Sequence, residues 1–201
     1  MTAVAAAEAD PTPHEEAPES DRGRGIFMVI AGAIALWASL TLTNDKIVLL
    51  EAEVAGKTKQ LGCDISAFVA CGDVVSSDQA SAFGFPNTLI GVVAFSALIA
   101  LGVVLASGIS LPRWMWGGLQ LGALFGVGFI TWLQYQSFFE IGKLCPWCMA
   151  VWAVVIPLFV MVTARFTGSR FLKNWTVLIS ALWIIAVVAV IWFKFGETLW
   201  A

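Results

Sequence analysis

Five long apolar runs divide the 201-residue chain, at about 25–43, 88–106, 114–136, 144–164 and 175–193, and none contains Asp, Glu, Lys or Arg. Each is near the roughly 20 residues a helix needs to cross a hydrocarbon layer of about 30 Å. In lipid every backbone N–H and C=O must be bonded within its own segment, so runs of this length predict helices. The alternating ten-residue strands of a membrane barrel are absent from the sequence. The expected fold is therefore all-α and integral to a membrane, with five transmembrane helices.

The polar positions fall between the runs. The longest connection, about 44–87, carries Asp45, Lys46, Glu51, Glu53, Lys57 and Lys59 and is expected as an outer loop. The connections at about 107–113, 137–143 and 165–174 are short. Ahead of the first run, segment 1–24 is rich in Ala, Glu and Pro and reads as a disordered cytoplasmic tail before a membrane domain at 25–201. It holds the only histidine, His14, which reads as a solvated tail residue rather than a ligand. The length of the following apolar run and the lack of a small-residue cleavage site argue against a cleaved leader.

Composition sharpens the membrane reading. Hydrophobic residues make up 59% of the chain and charged residues 12%, against roughly 25% charged in an ordinary soluble domain. Mean hydropathy is +0.86. The net charge of -3, with no basic patch interleaved with aromatics, excludes a nucleic-acid partner. Alternating the helix ends across the bilayer puts Arg22, Arg24, Arg113, Arg165, Arg170 and Lys173 on one face. Lys46, Lys57, Lys59, Lys143 and Lys194 fall on the other. Arg165, Arg170 and Lys173 crowd one short loop, so that face and the N-terminus are assigned to the cytoplasm.

Local signals suggest a bundle. Gly118, Gly122 and Gly126 recur at four-residue spacing, which predicts a face for close helix packing. Trp114, Trp116, Trp132, Trp147 and Trp200 stand near predicted helix ends, as interfacial aromatics do. Pro86 suits a helix start, and Pro157 is expected to kink the fourth helix.

The candidate chemistry lies in four cysteines. Cys63 and Cys71 are in the long loop. Cys145 and Cys148 form a Cys-Pro-Trp-Cys motif at the outer start of the fourth helix, so all four share one membrane face. Residues three apart at a helix start share a side of the helix, and the positive helix end favours a thiolate. A loop pair can meet soluble thiol proteins by disulfide exchange. The arrangement thus reads as a redox relay. Two static disulfides and a four-cysteine zinc site are the alternatives that spacing and topology leave open. A transporter is disfavoured because the spans lack ionisable residues.

Several segments resemble the vitamin K epoxide reductase family, in its bacterial branch. They are the run from Cys63 to Cys71, Ser76-Ser77, Gly84-Phe85-Pro86-Asn87, and Leu144-Cys145-Pro146-Trp147-Cys148. The resemblance extends over about 25–193. It implies a four-helix bundle around a quinone, menaquinone or ubiquinone, plus one additional helix. Cys145 and Cys148 are then the active-site pair, with Cys148 nearest the quinone, and Cys63 and Cys71 the shuttle pair. Ser77 matches a serine that caps the pocket. Asn87 matches an asparagine that hydrogen-bonds a quinone carbonyl; helix N-capping is its other reading. Four residues after Cys148, where animal members have a tyrosine, this chain has Trp152, with a single ring N–H donor. Phe83, Phe85 and Trp147 are candidate wall or lid residues. Many bacterial relatives continue into a thioredoxin-like domain, whereas this chain ends at Ala201. The implied partner is therefore a separate thioredoxin-like disulfide oxidase, exported or membrane-anchored. A four-helix disulfide oxidase of the other bacterial type, an alternative with similar chemistry, is disfavoured because it usually carries its CxxC in the first outer loop, whereas here it comes last.

Overall fold

A computed structural model of the chain describes residues 19–199. The tail reading, His14 and Trp200 lie outside the described residues. Five helices are long and apolar enough to cross a membrane. They are α1 (Glu19–Val54), α3 (Asn87–Ala106), α4 (Arg113–Tyr135), α5 (Pro146–Thr167) and α6 (Arg170–Leu199). A short α2 (Cys71–Ser76) and a 3-10 turn (Asp78–Ser81) follow the first span, and a π-helical turn (Gln136–Ile141) extends α4. Among the described residues there is no β-strand, only an isolated bridge between Val69 and Leu144.

The spans expose their apolar side chains. Ile26, Ile30, Ile34 and Trp37 form an exposed row on α1, and Val177, Ile185 and Phe193 are exposed on α6. In water such rows would be a severe liability, whereas in lipid they face their solvent. Helices α1, α3, α4 and α5 surround an internal cavity, and α6 packs outside them against α5. The fold is thus a four-helix bundle with one additional helix.

Helix α1 corrects the expected loop boundary. It has 36 residues, about 54 Å at 1.5 Å per residue, so 44–54 is helix rather than loop. Its extension is held because Val48 and Leu49 pack against a cluster of Leu42, Leu61, Cys71, Val75 and Cys145. The end is marked by Gly56, at φ 66°. Lys57 N–H donates to the Ala52 carbonyl at 2.9 Å and Gly56 N–H to that of Glu53 at 3.0 Å, the paired bonds of a glycine-terminated helix. Helix α5 runs on through Pro157 to Thr167.

The glycine stripe also behaves otherwise than its spacing suggests. A Cβ at Gly118 or Gly122 would meet nothing within 4 Å, and one at Gly126 would reach only Val155 Cγ1 at 3.9 Å. These positions open onto the cavity. Close packing occurs between α1 and α3 instead. There a Cβ at Gly25 would stand 2.4 Å from Ala106 N, and one at Gly91 would stand 2.5 Å from Ser39 Oγ. Four-residue spacing makes a smooth helix face but does not say what lies opposite.

At the end remote from the cysteines, the start of α1, the turn before α4 and the end of α5 converge. Asp21 is 1% exposed. Its carboxylate accepts from Arg165 Nε and Nη2 at 3.1 Å each and from Arg24 Nη1. The Arg165 guanidinium also lies 5.1 Å from the Trp116 ring centre. Grouping Arg22, Arg24, Arg113, Arg165, Arg170 and Lys173 at one end of the helices follows from this topology.

Candidate functional site

Two short pieces of extended backbone bring the cysteines together. Leu144 N–H donates to the Phe68 carbonyl at 2.7 Å, and Ala70 N–H donates back to the Leu144 carbonyl at 3.0 Å. Each piece then turns into a helix. Cys71 opens α2, and Cys145 immediately precedes α5, whose first residue is Pro146. Proline at that position costs no hydrogen bond. The clamp sets Cys71 beside Cys145, with their Sγ atoms 3.4 Å apart and both residues fully buried.

Cys63 and Cys71 are joined as a disulfide, with Cα atoms 5.7 Å apart. Cys145 and Cys148 are free thiols. The disulfide removes two thiolates from any four-cysteine metal site, and the free pair departs from the reading of two static disulfides. Cys63 is partly exposed, unlike Cys71. Asp64 ties the loop at both ends, accepting from Leu61 N–H and from Gly72 N–H at 2.9 Å each. Lys143 Nζ bonds the Ala67 carbonyl at 2.5 Å and pairs with Asp73 at 3.2 Å. Lys46 Nζ, from the α1 extension, bonds the Val75 carbonyl at 2.9 Å, near the C-terminal end of α2. The loop is therefore pinned to α1 and to the approach of α5.

The Cys145 thiol is held below its ordinary pKa. The first cause is a hydrogen bond from Cys148, supported by the backbone N–H groups of Cys148 and Trp147, and burial opposes them. The thiolate is the reactive form for exchange, and lowering the pKa favours it.

Behind the pair lies an apolar cavity of about 540 Å³, within the range of small-molecule sites. Along α5 it extends from Cys148 to Val162, about 21 Å at 1.5 Å per residue. Of the candidate site residues read from the sequence, Cys148, Ser77, Asn87 and Trp152 line it. Trp152 is buried and meets Phe138 edge-on at 5.7 Å. Ser77 Oγ donates to the Val74 carbonyl at 2.7 Å.

Asn87 is the first residue of α3 rather than its cap, which is Pro86. Its Nδ2 donates to the Gln79 carbonyl at 2.6 Å, and its buried Oδ1 has no partner among the described residues. Phe83 is not among the lining residues. It is half exposed and reaches the wall through Phe129, whose ring centre is 5.6 Å away. Trp147 packs against the outer cysteine cluster rather than the cavity. Gln136, not singled out in the sequence, lines the cavity with its buried Oε1 also unpartnered. An amide closing an otherwise apolar run was its only signal.

A dithiol set against a loop disulfide, beside an apolar cavity in a bundle of membrane-length helices, is the arrangement of a membrane oxidoreductase. The model of the vitamin K epoxide reductase family matches residues 26–163, a stretch that includes all four cysteines and most of the four helices around the cavity. The chain belongs to this family. No curated protein matches the chain.

Proposed function

We propose that the chain is a quinone-dependent thiol oxidase. It takes electrons from a separate thioredoxin-like protein, exported or membrane-anchored, and so supports disulfide formation in exported proteins. The observation that carries this reading is the 3.4 Å approach of Cys71 Sγ to Cys145 Sγ, with Cys148 on the cavity wall.

The cavity suits a quinone. Its walls are apolar, and the amides of Asn87 and Gln136 each leave a buried oxygen unpartnered among the described residues. The second Nδ2 hydrogen of Asn87 can donate to a carbonyl, and its oxygen can accept from a hydroxyl. A menaquinone or ubiquinone bound there supplies the acceptor for two electrons and two protons.

The residues of the chain carry the remaining chemistry. A partner thiolate attacks Cys63, the exposed member of the loop disulfide, and Cys71 leaves as a thiolate. The second partner thiol closes the partner's own disulfide and frees Cys63. Cys71 then attacks Cys145 of an oxidised Cys145–Cys148 pair, and Cys63 attacks Cys71 to release Cys145. Two electrons now rest on Cys145 and Cys148, and the loop disulfide has re-formed. The arrangement of one loop disulfide and one inner dithiol corresponds to this stage. Closing the Cys145–Cys148 disulfide yields two electrons and two protons at the cavity wall. The basic face lies in the cytoplasm of the plasma or inner membrane, and the cysteines lie on the opposite side.

The test is quinone reduction by purified protein supplied with a reduced thioredoxin-like protein, with thiols trapped during turnover. Cys148→Ala abolishes reduction on this reading. Retained activity in that variant, or four cysteines that stay oxidised throughout turnover, would refute it.

A further inference from the structure

A second pocket, of about 300 Å³, opens at the end of the bundle remote from the cysteines. Three helices form it. Gly23, Arg24 and Phe27 come from α1, Met161 and Ala164 from α5, and Lys173 and Thr176 from α6. Helices α1 and α6 each pack on α5, so α5 forms the floor of a groove. Among the described residues, two cations and no carboxylate line it. Asp21, the nearest acid along α1, is already shared between Arg24 and Arg165. Lys173 is exposed. Thr176 Oγ1 spends its proton on the Leu172 carbonyl, at 2.5 Å, so recognition falls to the cations. Helices α1 and α6 both begin at this end, and their positive ends add to the field.

We propose that this groove binds the headgroup of an anionic phospholipid, with the phosphodiester between Arg24 and Lys173 and the start of an acyl chain over Phe27, Met161 and Ala164. Charge complementarity argues for the anion. The apolar floor, set among the ends of three membrane spans, argues for a lipid over a soluble ion, because only a lipid covers both parts. Basic pockets between spans are suited to such headgroups. The site is separate from the thiol chemistry and holds whichever way the protein is oriented.

The experiment is native mass spectrometry of the full chain released from nanodiscs of phosphatidylglycerol mixed with phosphatidylcholine. The expected result is preferential retention of phosphatidylglycerol. Lys173→Gln reduces the preference about fivefold, the effect of one surface cation on an anionic lipid. Lys194→Gln, outside the groove, leaves it unchanged. Equal retention of the two lipids, or a preference indifferent to Lys173→Gln, overturns the proposal. So does displacement of the lipid by millimolar inorganic phosphate, which marks a soluble-anion site. Segment 1–18 carries four carboxylates and no Lys or Arg. If its deletion is required before phosphatidylglycerol is retained, the groove belongs to that segment and the proposal fails.

Discussion

Gly25 and Gly122 lie in two different apolar spans, yet the structure predicts opposite outcomes when each becomes alanine. At Gly25 the new methyl would stand 2.4 Å from Ala106 N and 2.7 Å from the Gly102 carbonyl oxygen, both backbone atoms of α3 or its end. Comfortable separation for such atoms is about 3.5 Å or more, so α1 and α3 must part by about 1 Å. Overpacking of this kind costs about 1–3 kcal/mol. The upper part of that range applies because neither neighbour is a flexible side-chain end. Alanine returns about 1 kcal/mol through its helical preference, leaving Gly25→Ala destabilised by about 2 kcal/mol. At Gly122 the methyl meets nothing within 4 Å, so only the gain of about 1 kcal/mol remains. In a chain of this size the melting temperature should fall by on the order of 4–8 °C for the first variant and rise by about 2–4 °C for the second. Thermal unfolding of the detergent-solubilised protein reads both. Gly122→Leu extends the comparison, placing a branched side chain in the cavity while keeping the fold. Quinone binding should weaken by about 1–3 kcal/mol, roughly 5- to 150-fold in the dissociation constant. An unfolded Gly122→Leu protein, or a Gly25→Ala protein as stable as wild type, would show that the glycine faces have been assigned the wrong way round.

Three further outcomes are expected. Cys63→Ala leaves Cys71 a lone thiol with nothing to resolve it, so once added quinone has oxidised the Cys145–Cys148 pair, Cys71 should attack Cys145, expel the Cys148 thiolate and stay trapped as a Cys71–Cys145 disulfide visible by peptide mapping; a Cys71–Cys148 bond contradicts the relay order. Because Cys145 has a lowered pKa, more thiolate is present at a given pH than in an ordinary cysteine, and its alkylation should reach half-rate at lower pH. Cys148→Ala removes the leading cause, so the half-point should move up; no movement means that the hydrogen bond is not the cause. Asp21→Asn removes the carboxylate between Arg24 and Arg165, leaving two guanidinium groups with exposures of 16% and 35% facing each other. Breaking a fully buried pair costs about 3–5 kcal/mol. With the arginines partly in contact with solvent, about 2 kcal/mol is expected in thermal unfolding, and a neutral result would count against the shared-carboxylate reading.

Much of the architecture was legible because a bilayer imposes a length on apolar segments, and the five uncharged runs meet it. Their ends were less legible. Residues 44–54 mix charged and apolar positions, as either a loop or an amphipathic helix can, and packing of Val48 and Leu49 on the cysteine cluster decides for helix. Asn87 shows the same limit. Its place at a helix start suggested a cap, but its amide is engaged by Gln79, a partner that only the turn after α2 brings within reach.

The sequence by itself determined that the chain spans a membrane five times, that its cysteines form two unequal pairs on one face, and that its arginines gather on the other. These follow from composition, run length and alternation, which need no contact between distant residues. Tertiary structure alone decided that Cys71 rather than Cys63 lies against Cys145, because the Val69–Leu144 bridge joins segments more than seventy residues apart. It also decided which glycines seal a helix pair and which open a cavity. Spacing along a helix defines a face, but the neighbour across that face is set by the packing of the whole bundle.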